Sequence, residues 1–137
     1  MVKQIYITEL DKVRLQKLIS NALEYNLCKK DYLKRLDQEL QRALVVSSKD
    51  IPNDIITMNS SVALVDMETN EEMIYTLVFP DDADLLENKI SILAPIGTAI
   101  LGYRVGDIVE WPVPDGIIKL KVDRIVFQPE ATGNYTL

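Results

Sequence analysis

The apolar residues of this chain change their spacing once, near residues 47–54, and that change divides the 137 residues into two parts. Before it, apolar residues recur three and four positions apart, which is the period of helices with one buried face. After it, the period shifts to two, as in strands. The pattern predicts an α+β protein with helices in residues 1–50, a mostly antiparallel sheet in residues 51–137, and a domain boundary between them.

The first part predicts two amphipathic helices. Thr8 followed by Asp11 is typical of the capping box that starts a helix. A second helix is expected to begin near Lys30 or Asp31, and its apolar seam runs on to Ser47. Two such helices joined by a short loop should form an antiparallel, coiled-coil-like hairpin. The hairpin either projects toward a partner as a stubby arm of roughly 25 Å or packs on the sheet as part of one core.

The second part predicts short strands separated by turns. In chain order, the segments with strand character are 55–58, 61–66, 73–79, 90–92, 108–113 and 117–127. Between the last two, Pro114-Asp115-Gly116 is typical of a hairpin turn. The charged loop at residues 80–84 has two interpretations, a solvated loop or a patch that steers the protein toward a basic partner.

Residues 91–107 combine a strand end, a short helix and a turn. Pro95 stands where a helix can begin, and Gly102 stands where one stops. The residues between them are small and apolar, so this helix is expected to pack on the sheet. Gly106-Asp107 then turns the chain into the next strand.

Composition excludes several kinds of chemistry. Because the chain has no histidine, Ser-His-Asp catalysis, imidazole acid–base catalysis and His-ligated zinc are excluded. Cys28 is the only cysteine, which excludes an internal disulfide and a cysteine zinc cluster; an incidental and a reactive thiol both remain open. No run approaches the roughly 18 apolar residues of a membrane span, and the N-terminus does not resemble a signal peptide. We therefore expect a cytoplasmic protein without membrane contact.

The charge is unevenly distributed. Residues 1–50 contain ten Lys and Arg against seven Asp and Glu, whereas residues 51–137 contain five against fourteen. Nucleic-acid binding depends on cationic groups that neutralise phosphates. The acidic second part therefore disfavours independent binding of DNA or RNA.

Four segments of the second part resemble the C-terminal domain of the bacterial Gre transcript-cleavage factors. They are Ala94-Pro95-x-Gly97-x-Ala99-x-Leu101-Gly102 with Gly106-Asp107, then Met58–Val62, Pro114–Gly116 and the ending Phe127–Tyr135. The ending is most similar to the Rnk-type members of the family. The resemblance is strong over most of residues 51–137 and general before them. It implies an FKBP-like sheet domain with one short helix, and RNA polymerase as the partner.

The same resemblance implies a polymerase-binding site at Leu93-Ala94-Pro95. These residues match the loop with which Gre factors dock on the rim of the polymerase secondary channel, although Gre factors generally have Ser before the proline. Pro95 also has a structural interpretation as the first residue of a core helix, and the two roles are compatible.

A second candidate site is the hairpin tip. Gre factors carry acidic residues there that help to hold a magnesium ion in the polymerase active centre, and the candidates in this chain are Glu24 and Asp31. They lie seven residues apart beside Lys29 and Lys30, and the acidic Gre tip pattern is missing. We therefore expect no catalytic residue, metal or cofactor in this chain.

Several functions stay open at this point. The leading hypothesis is a regulator without catalytic activity that acts at the secondary channel of RNA polymerase, and the alternative is a factor that stimulates transcript cleavage through Glu24 and Asp31. A third is an interaction module for an unrelated partner. An FKBP-like fold also suggests prolyl isomerisation as a function, and this activity would need a pocket lined by aromatic side chains. Most aromatic residues of this chain fall in predicted strands, where such side chains usually belong to the core.

Overall fold

The computed structural model describes residues 4–26 and 29–135, without the side chains of residues 111–113. Its elements, in chain order, are β1 (Tyr6–Thr8), α1 (Glu9–Tyr25), α2 (Lys30–Arg42), β2 (Leu44–Val46), β3 (Ser61–Asp66), β4 (Glu72–Val78), β5 (Lys89–Ser91), α3 (Pro95–Ile100), β6 (Ile108–Val113) and β7 (Gly116–Phe127). Short 3-10 turns lie at Pro80–Asp82, Leu85–Glu87 and Glu130–Thr132. Among these residues, no helix is long and apolar enough to cross a membrane.

The main sheet has five strands in the order β5-β4-β3-β7-β6. Only β4 and β5 run parallel; the other neighbouring strands are antiparallel. The long strand β7 forms a hairpin with β6 through the predicted turn and also pairs with β3. The predicted α+β class with N-terminal helices and a mostly antiparallel sheet is confirmed.

The two N-terminal helices begin where the sequence indicates. Thr8 is the N-cap of α1, and its Oγ1 accepts a hydrogen bond from the backbone N–H of Asp11 at 3.1 Å. The predicted continuation of the second helix to Ser47 is wrong, because α2 ends at Arg42 and residues 44–46 form β2. Strand β2 pairs in parallel with β1, and the N–H of Leu44 donates to the carbonyl of Ile5 at 2.9 Å.

The strand predicted at residues 55–58 is also wrong. All four side chains are buried, whereas a strand of a half-covered sheet buries every second one. The segment makes one isolated bridge, from Ile55 to Arg104, and exchanges further backbone hydrogen bonds with the loop after α3. Ile56 donates to Tyr103 and accepts from Gly102, each at 2.9 Å. It is a buried connection that the rest of the chain surrounds.

One hydrophobic core joins the helices to the sheet. It contains Leu15 and Ile19 of α1, Leu36 and Leu40 of α2, and apolar side chains of β3, β4, β5, α3, β6 and β7. Ala22 and Leu33, which lie nearer the connection between the helices, are buried outside this cluster. The helices are therefore packed on the sheet at their base, which we call the arm base, while their far ends extend beyond the core. The domain boundary near residue 50 stays a prediction.

Candidate functional site

The Leu93-Ala94-Pro95 segment connects β5 to α3 and is half-buried. Ser91 holds its start, because the Ser91 Oγ accepts from the N–H of Leu93 and the Ser91 carbonyl accepts from the N–H of Ala94, both at 3.0 Å. Pro95 occupies the first turn of α3, where a proline needs no hydrogen bond from its nitrogen. The segment is thus fixed at both ends before any partner binds.

Helix α3 packs unusually close behind this segment. A Cβ on Gly97 would lie 2.3 Å from the carbonyl oxygen of Ser91, so only glycine fits there. Thr98, which is buried, donates from its Oγ1 to the carbonyl of Ile92 at 2.7 Å. These contacts give the glycine of the Gre-like motif a physical role in setting the position of residues 93–95.

Leu93 also forms one wall of a groove with a volume of about 490 Å³. Helix α1 contributes one side of this groove, and the segment after β4 contributes the other. Its lining residues are Arg14, Lys17, Leu18, Asn21, Phe79, Pro80, Asp81 and Leu93. The Arg14 guanidinium lies 5.9 Å from the centroid of the Phe79 ring. An apolar floor with two cationic side chains is therefore built beside the candidate docking segment.

Sequence reasoning did not find the α1 side of this groove. Its four residues, at positions 14, 17, 18 and 21, have the i, i+3, i+4, i+7 spacing of one helix face. That spacing predicts that the four side chains share one surface of α1. It does not predict the long-range packing that brings this surface to Leu93.

The candidate tip residues lie elsewhere. Glu24 is in the last turn of α1 and Asp31 in the first turn of α2, and both side chains are exposed. No described contact joins either carboxylate to Leu93, Ala94 or Pro95. In the ranges 4–26 and 29–135, no three acidic side chains come close enough together to hold a metal ion. Cys28 lies outside the described residues.

A buried carboxylate, Asp11, connects the arm base to the sheet domain. Its Oδ2 accepts from the N–H of Met58 at 3.1 Å. The pKa of Asp11 is raised to about 6, mainly because burial disfavours the charged carboxylate and also because the Glu130 carboxylate lies nearby; the Met58 hydrogen bond, Arg14 and Thr8 partly offset this rise. The sequence predicted Asp11 only as a capping residue. Its second role depends on a contact 47 positions away.

The C-terminal segment is fixed to the same connection. The Gln128 Nε2 donates to the carbonyls of Pro52 and Ile55, at 2.9 and 2.7 Å. Glu130 accepts from the Thr57 hydroxyl at 2.7 Å. The Rnk-like ending therefore secures the buried connection at residues 52–58, to which Asp11 also binds.

The turn after α3 contacts β1, the strand that leads into α1. The N–H of Tyr6 donates to the carbonyl of Gly102 at 3.3 Å. A Cβ on Gly102, whose φ is +81°, would lie 2.8 Å from the Tyr6 carbonyl oxygen. Residues 93–95 at one end of α3 and strand β1 at the other are thereby connected through α3.

Comparison with known proteins covers both parts of the chain. The family model described as the C-terminal region of transcription elongation factors GreA and GreB matches residues 51–126, and the Rnk N-terminus model matches residues 3–46. A regulator of nucleoside diphosphate kinase from Escherichia coli is 37% identical over 134 residues, which are 97% of this chain and 96% of that protein.

Two further relatives are transcription factors. A GreA elongation factor from Acetivibrio thermocellus is 39% identical over 110 residues, which cover 76% of this chain and 69% of that protein. The solved structure of a prokaryotic GreA/GreB elongation factor from Nitrosomonas europaea superposes with a TM-score of 0.74 at 36% identity. That match covers 92% of this chain and 100% of the other.

Proposed function

This chain belongs to the Gre family of transcription factors, in its Rnk-type branch, and from that premise we propose that it is a regulator that binds RNA polymerase without catalysis of its own. The docking site is the Leu93-Ala94-Pro95 segment, and the target is the rim of the polymerase secondary channel. The relatives named as elongation factors and as a regulator support this assignment.

The observation that carries the proposal is the fixed geometry of the docking segment. Ser91 and Gly97 hold residues 93–95 in one conformation, so little conformational entropy is lost when a partner binds. Leu93 stands at the edge of an apolar groove, and such a half-exposed side chain can be buried against a partner helix.

The helical arm has the second role. We interpret α1 and α2 as an antiparallel hairpin and the sheet domain as FKBP-like, with the division near residue 50. The 13 residues of α2 give an arm of about 20 Å. Strand β1, which leads directly into α1, is bonded to the turn after α3 through Tyr6 and Gly102, so docking at residues 93–95 also sets the direction of the arm. In this position the arm enters or blocks the secondary channel and competes with other factors that use it.

The proposal includes the partner and the compartment. The protein acts in the cytoplasm, and its partner is polymerase. Binding to nucleic acid on its own is disfavoured, because the sheet domain is strongly acidic. No observation favours the alternative, transcript cleavage stimulated by Glu24 and Asp31. Lysines at positions 29, 30 and 34 lie near these carboxylates in the sequence, and cationic neighbours weaken the binding of a divalent cation.

The test is binding of the purified chain to core RNA polymerase across a salt series. We expect Leu93→Asp to reduce binding at least tenfold, because a carboxylate in place of the half-buried leucine must be desolvated at the interface. Ile117→Ser is the matched control, since it removes an exposed apolar side chain from the β6–β7 hairpin. Unchanged circular dichroism must accompany the loss. Absence of wild-type binding at low salt would overturn the proposal.

A second measurement separates the leading function from transcript cleavage. Stalled elongation complexes are incubated with the wild-type chain and with the double variant Glu24→Ala, Asp31→Ala. We expect no shortened transcripts with either protein, and equal competition with a cleavage factor. Transcript cleavage that appears with the wild type and vanishes in the double variant would establish the alternative.

A further inference from the structure

Two leucines are held out from the surface between β4 and β5. Leu85 is 82% exposed and Leu86 is 97% exposed. Their turn is closed at its base by two backbone hydrogen bonds between Asp84 and Lys89, both at 2.9 Å. The Asp84 Oδ1 also accepts from the N–H of Leu86 at 3.0 Å. We call this turn, Leu85–Glu87, the leucine knob; it is ordered by its own hydrogen bonds, independently of any contact by the leucines.

The knob is surrounded by negative charge. Asp82, Asp84 and Glu87 are all exposed within six residues, and Lys89, the nearest cation in the sequence, pairs with Glu87 at 3.1 Å. Exposed apolar side chains on an ordered turn are typical of an interaction site. The acidic surroundings require that the receiving pocket be apolar inside and cationic at its rim, since like charges would repel.

The groove beside Leu93 has this chemistry. Leu18, Phe79 and Leu93 supply apolar walls, and the positive charges of Arg14 and Lys17 outnumber the one carboxylate of the lining, Asp81. Its volume of about 490 Å³ falls in the range of about 300–1,000 Å³ that is usual for binding pockets. The same chain therefore carries an apolar knob with an acidic rim and an apolar groove with cationic side chains.

We propose that two copies of this chain form a dimer in which the leucine knob of each inserts into the groove of the other. Asp81 lines the groove and the knob begins at Leu85, so only residues 82–84 separate the two surfaces. Because knob and groove are adjacent, a two-fold axis between two copies can satisfy both contacts at once and close the assembly. The patch is small, so the dimer is weak, with a dissociation constant on the order of micromolar or above.

The dimer would act as a control on docking. Leu93 lines the groove, so a knob seated there covers the residue proposed to contact polymerase. Dimerisation and polymerase binding are then mutually exclusive, and dilution or excess polymerase releases the active monomer. This consequence rests on the proposed function, whereas the dimer itself does not.

The first test is sedimentation equilibrium of the full chain from low micromolar to about 1 mM. The weight-average mass of the wild type should rise from 15.6 kDa toward twice that value. We expect the double variant Leu85→Ser, Leu86→Ser to weaken association at least about tenfold. Ile117→Ser, an equally apolar surface change elsewhere, should leave it unchanged. A wild type that stays at the mass of one chain, or a dimer that the knob variant does not weaken, overturns the proposal.

The second test exchanges the charges of the two surfaces. Arg14→Glu with Lys17→Glu should abolish the dimer, because the groove would then repel the acidic knob. Adding Asp82→Lys and Glu87→Lys to the same chain should restore it. Failure of this restoration in a folded four-fold variant contradicts the pairing of knob with groove.

Polymerase binding provides the last test. The monomeric knob variant should bind core polymerase at least as tightly as the wild type, and it should lack the decrease in binding that self-association predicts for the wild type at high protein concentration. A wild type that dimerises through the knob but binds no polymerase refutes the proposed function and leaves the dimer intact. Polymerase binding by a wild type that never dimerises refutes the dimer and leaves the proposed function intact.

Discussion

The base and the tip of the helical arm differ in what their residues contact. At the base, Leu15, Leu36 and Leu40 lie in the core of the sheet domain, and Asp11 accepts a hydrogen bond from Met58. At the tip, Glu24 and Asp31 are exposed. This difference indicates that packing in the folded core sets the direction of the arm, whereas the exposed side chains at the tip remain accessible to a partner. Substitutions at the two ends should therefore have effects of very different size.

The largest effect is expected for Leu36→Ala. Leu36 is fully buried in the shared core, so its truncation should lower the free energy of unfolding by about 2–5 kcal/mol. If arm base and sheet are one core, far-ultraviolet circular dichroism and the fluorescence of the single tryptophan must report one common urea transition.

Leu23→Ala is the control for this substitution, since Leu23 lies on the exposed side of α1 near the tip. We expect it to change stability by no more than about 0.5 kcal/mol. Two separate transitions in the Leu36→Ala variant would show that the arm unfolds on its own and would break the comparison.

The next effect is a pH dependence that originates at Asp11. Its pKa is about 6 in the folded protein against 3.8 when unperturbed, so the folded state binds the proton more tightly. The stabilisation is fully present below pH 3.8 and is lost as the pH rises through about 6. Relative to Asp11→Asn, the wild type should lose about 2–3 kcal/mol of unfolding free energy between pH 4 and pH 7.

The measurement is urea unfolding of both proteins at several pH values, because the difference between them cancels the titration of the other carboxylates. Carbon NMR of the Asp11 carboxyl group gives the pKa directly. Two stability curves that run parallel from pH 4 to pH 7 would show that Asp11 is not desolvated at the arm base.

A smaller effect is expected for Thr8→Ala, which removes the N-cap of α1. The loss should be about 1 kcal/mol, since one backbone N–H in the first turn loses its acceptor. Thr8→Ser keeps that acceptor and should recover most of the stability. Thermal unfolding of the three proteins measures the effect, and equal destabilisation by serine and alanine would assign the role of Thr8 to packing instead.

The smallest effect is expected at the tip. Glu24→Ala combined with Asp31→Ala should change the free energy of unfolding by no more than about 1 kcal/mol, mainly through the loss of Asp31 from the first turn of α2. Polymerase binding should be retained, because the proposed docking site is elsewhere. Chemical denaturation and the binding assay are measured on the same preparation, and a large loss of stability would mean that the tip is not the loose end of the arm.

The features that sequence could predict are those set by local chemistry. Thr8 caps α1, Pro95 begins α3, and Gly102 has the left-handed φ of a residue that ends one. Each signal depends on residues within about one helical turn. Gly97 of the Gre-like motif also depends on a near neighbour, because the atom that leaves no room for a Cβ there is the carbonyl oxygen of Ser91, six residues earlier.

The features that sequence missed depend on distant partners. Leu44–Val46 continues a helical seam in the sequence, but β1, far away along the chain, offers it a strand to pair with. The α1 wall of the groove had the right helical spacing, yet nothing local indicates that Leu93 lies opposite. The same holds for Asp11 and Met58, whose contact is made only when the arm base packs on the sheet domain.

The short pair formed by β1 and β2 has a consequence for how such proteins can diversify. Strand β1 leads directly into α1, and β2 follows α2 after one residue, so both legs of the arm start from the same two-stranded clamp. Equal insertions in the two helices beyond the core would lengthen the arm without moving the clamp, the sheet or residues 93–95. The arm is in this sense a cassette, and its reach can evolve, or be engineered, separately from the surface that anchors it.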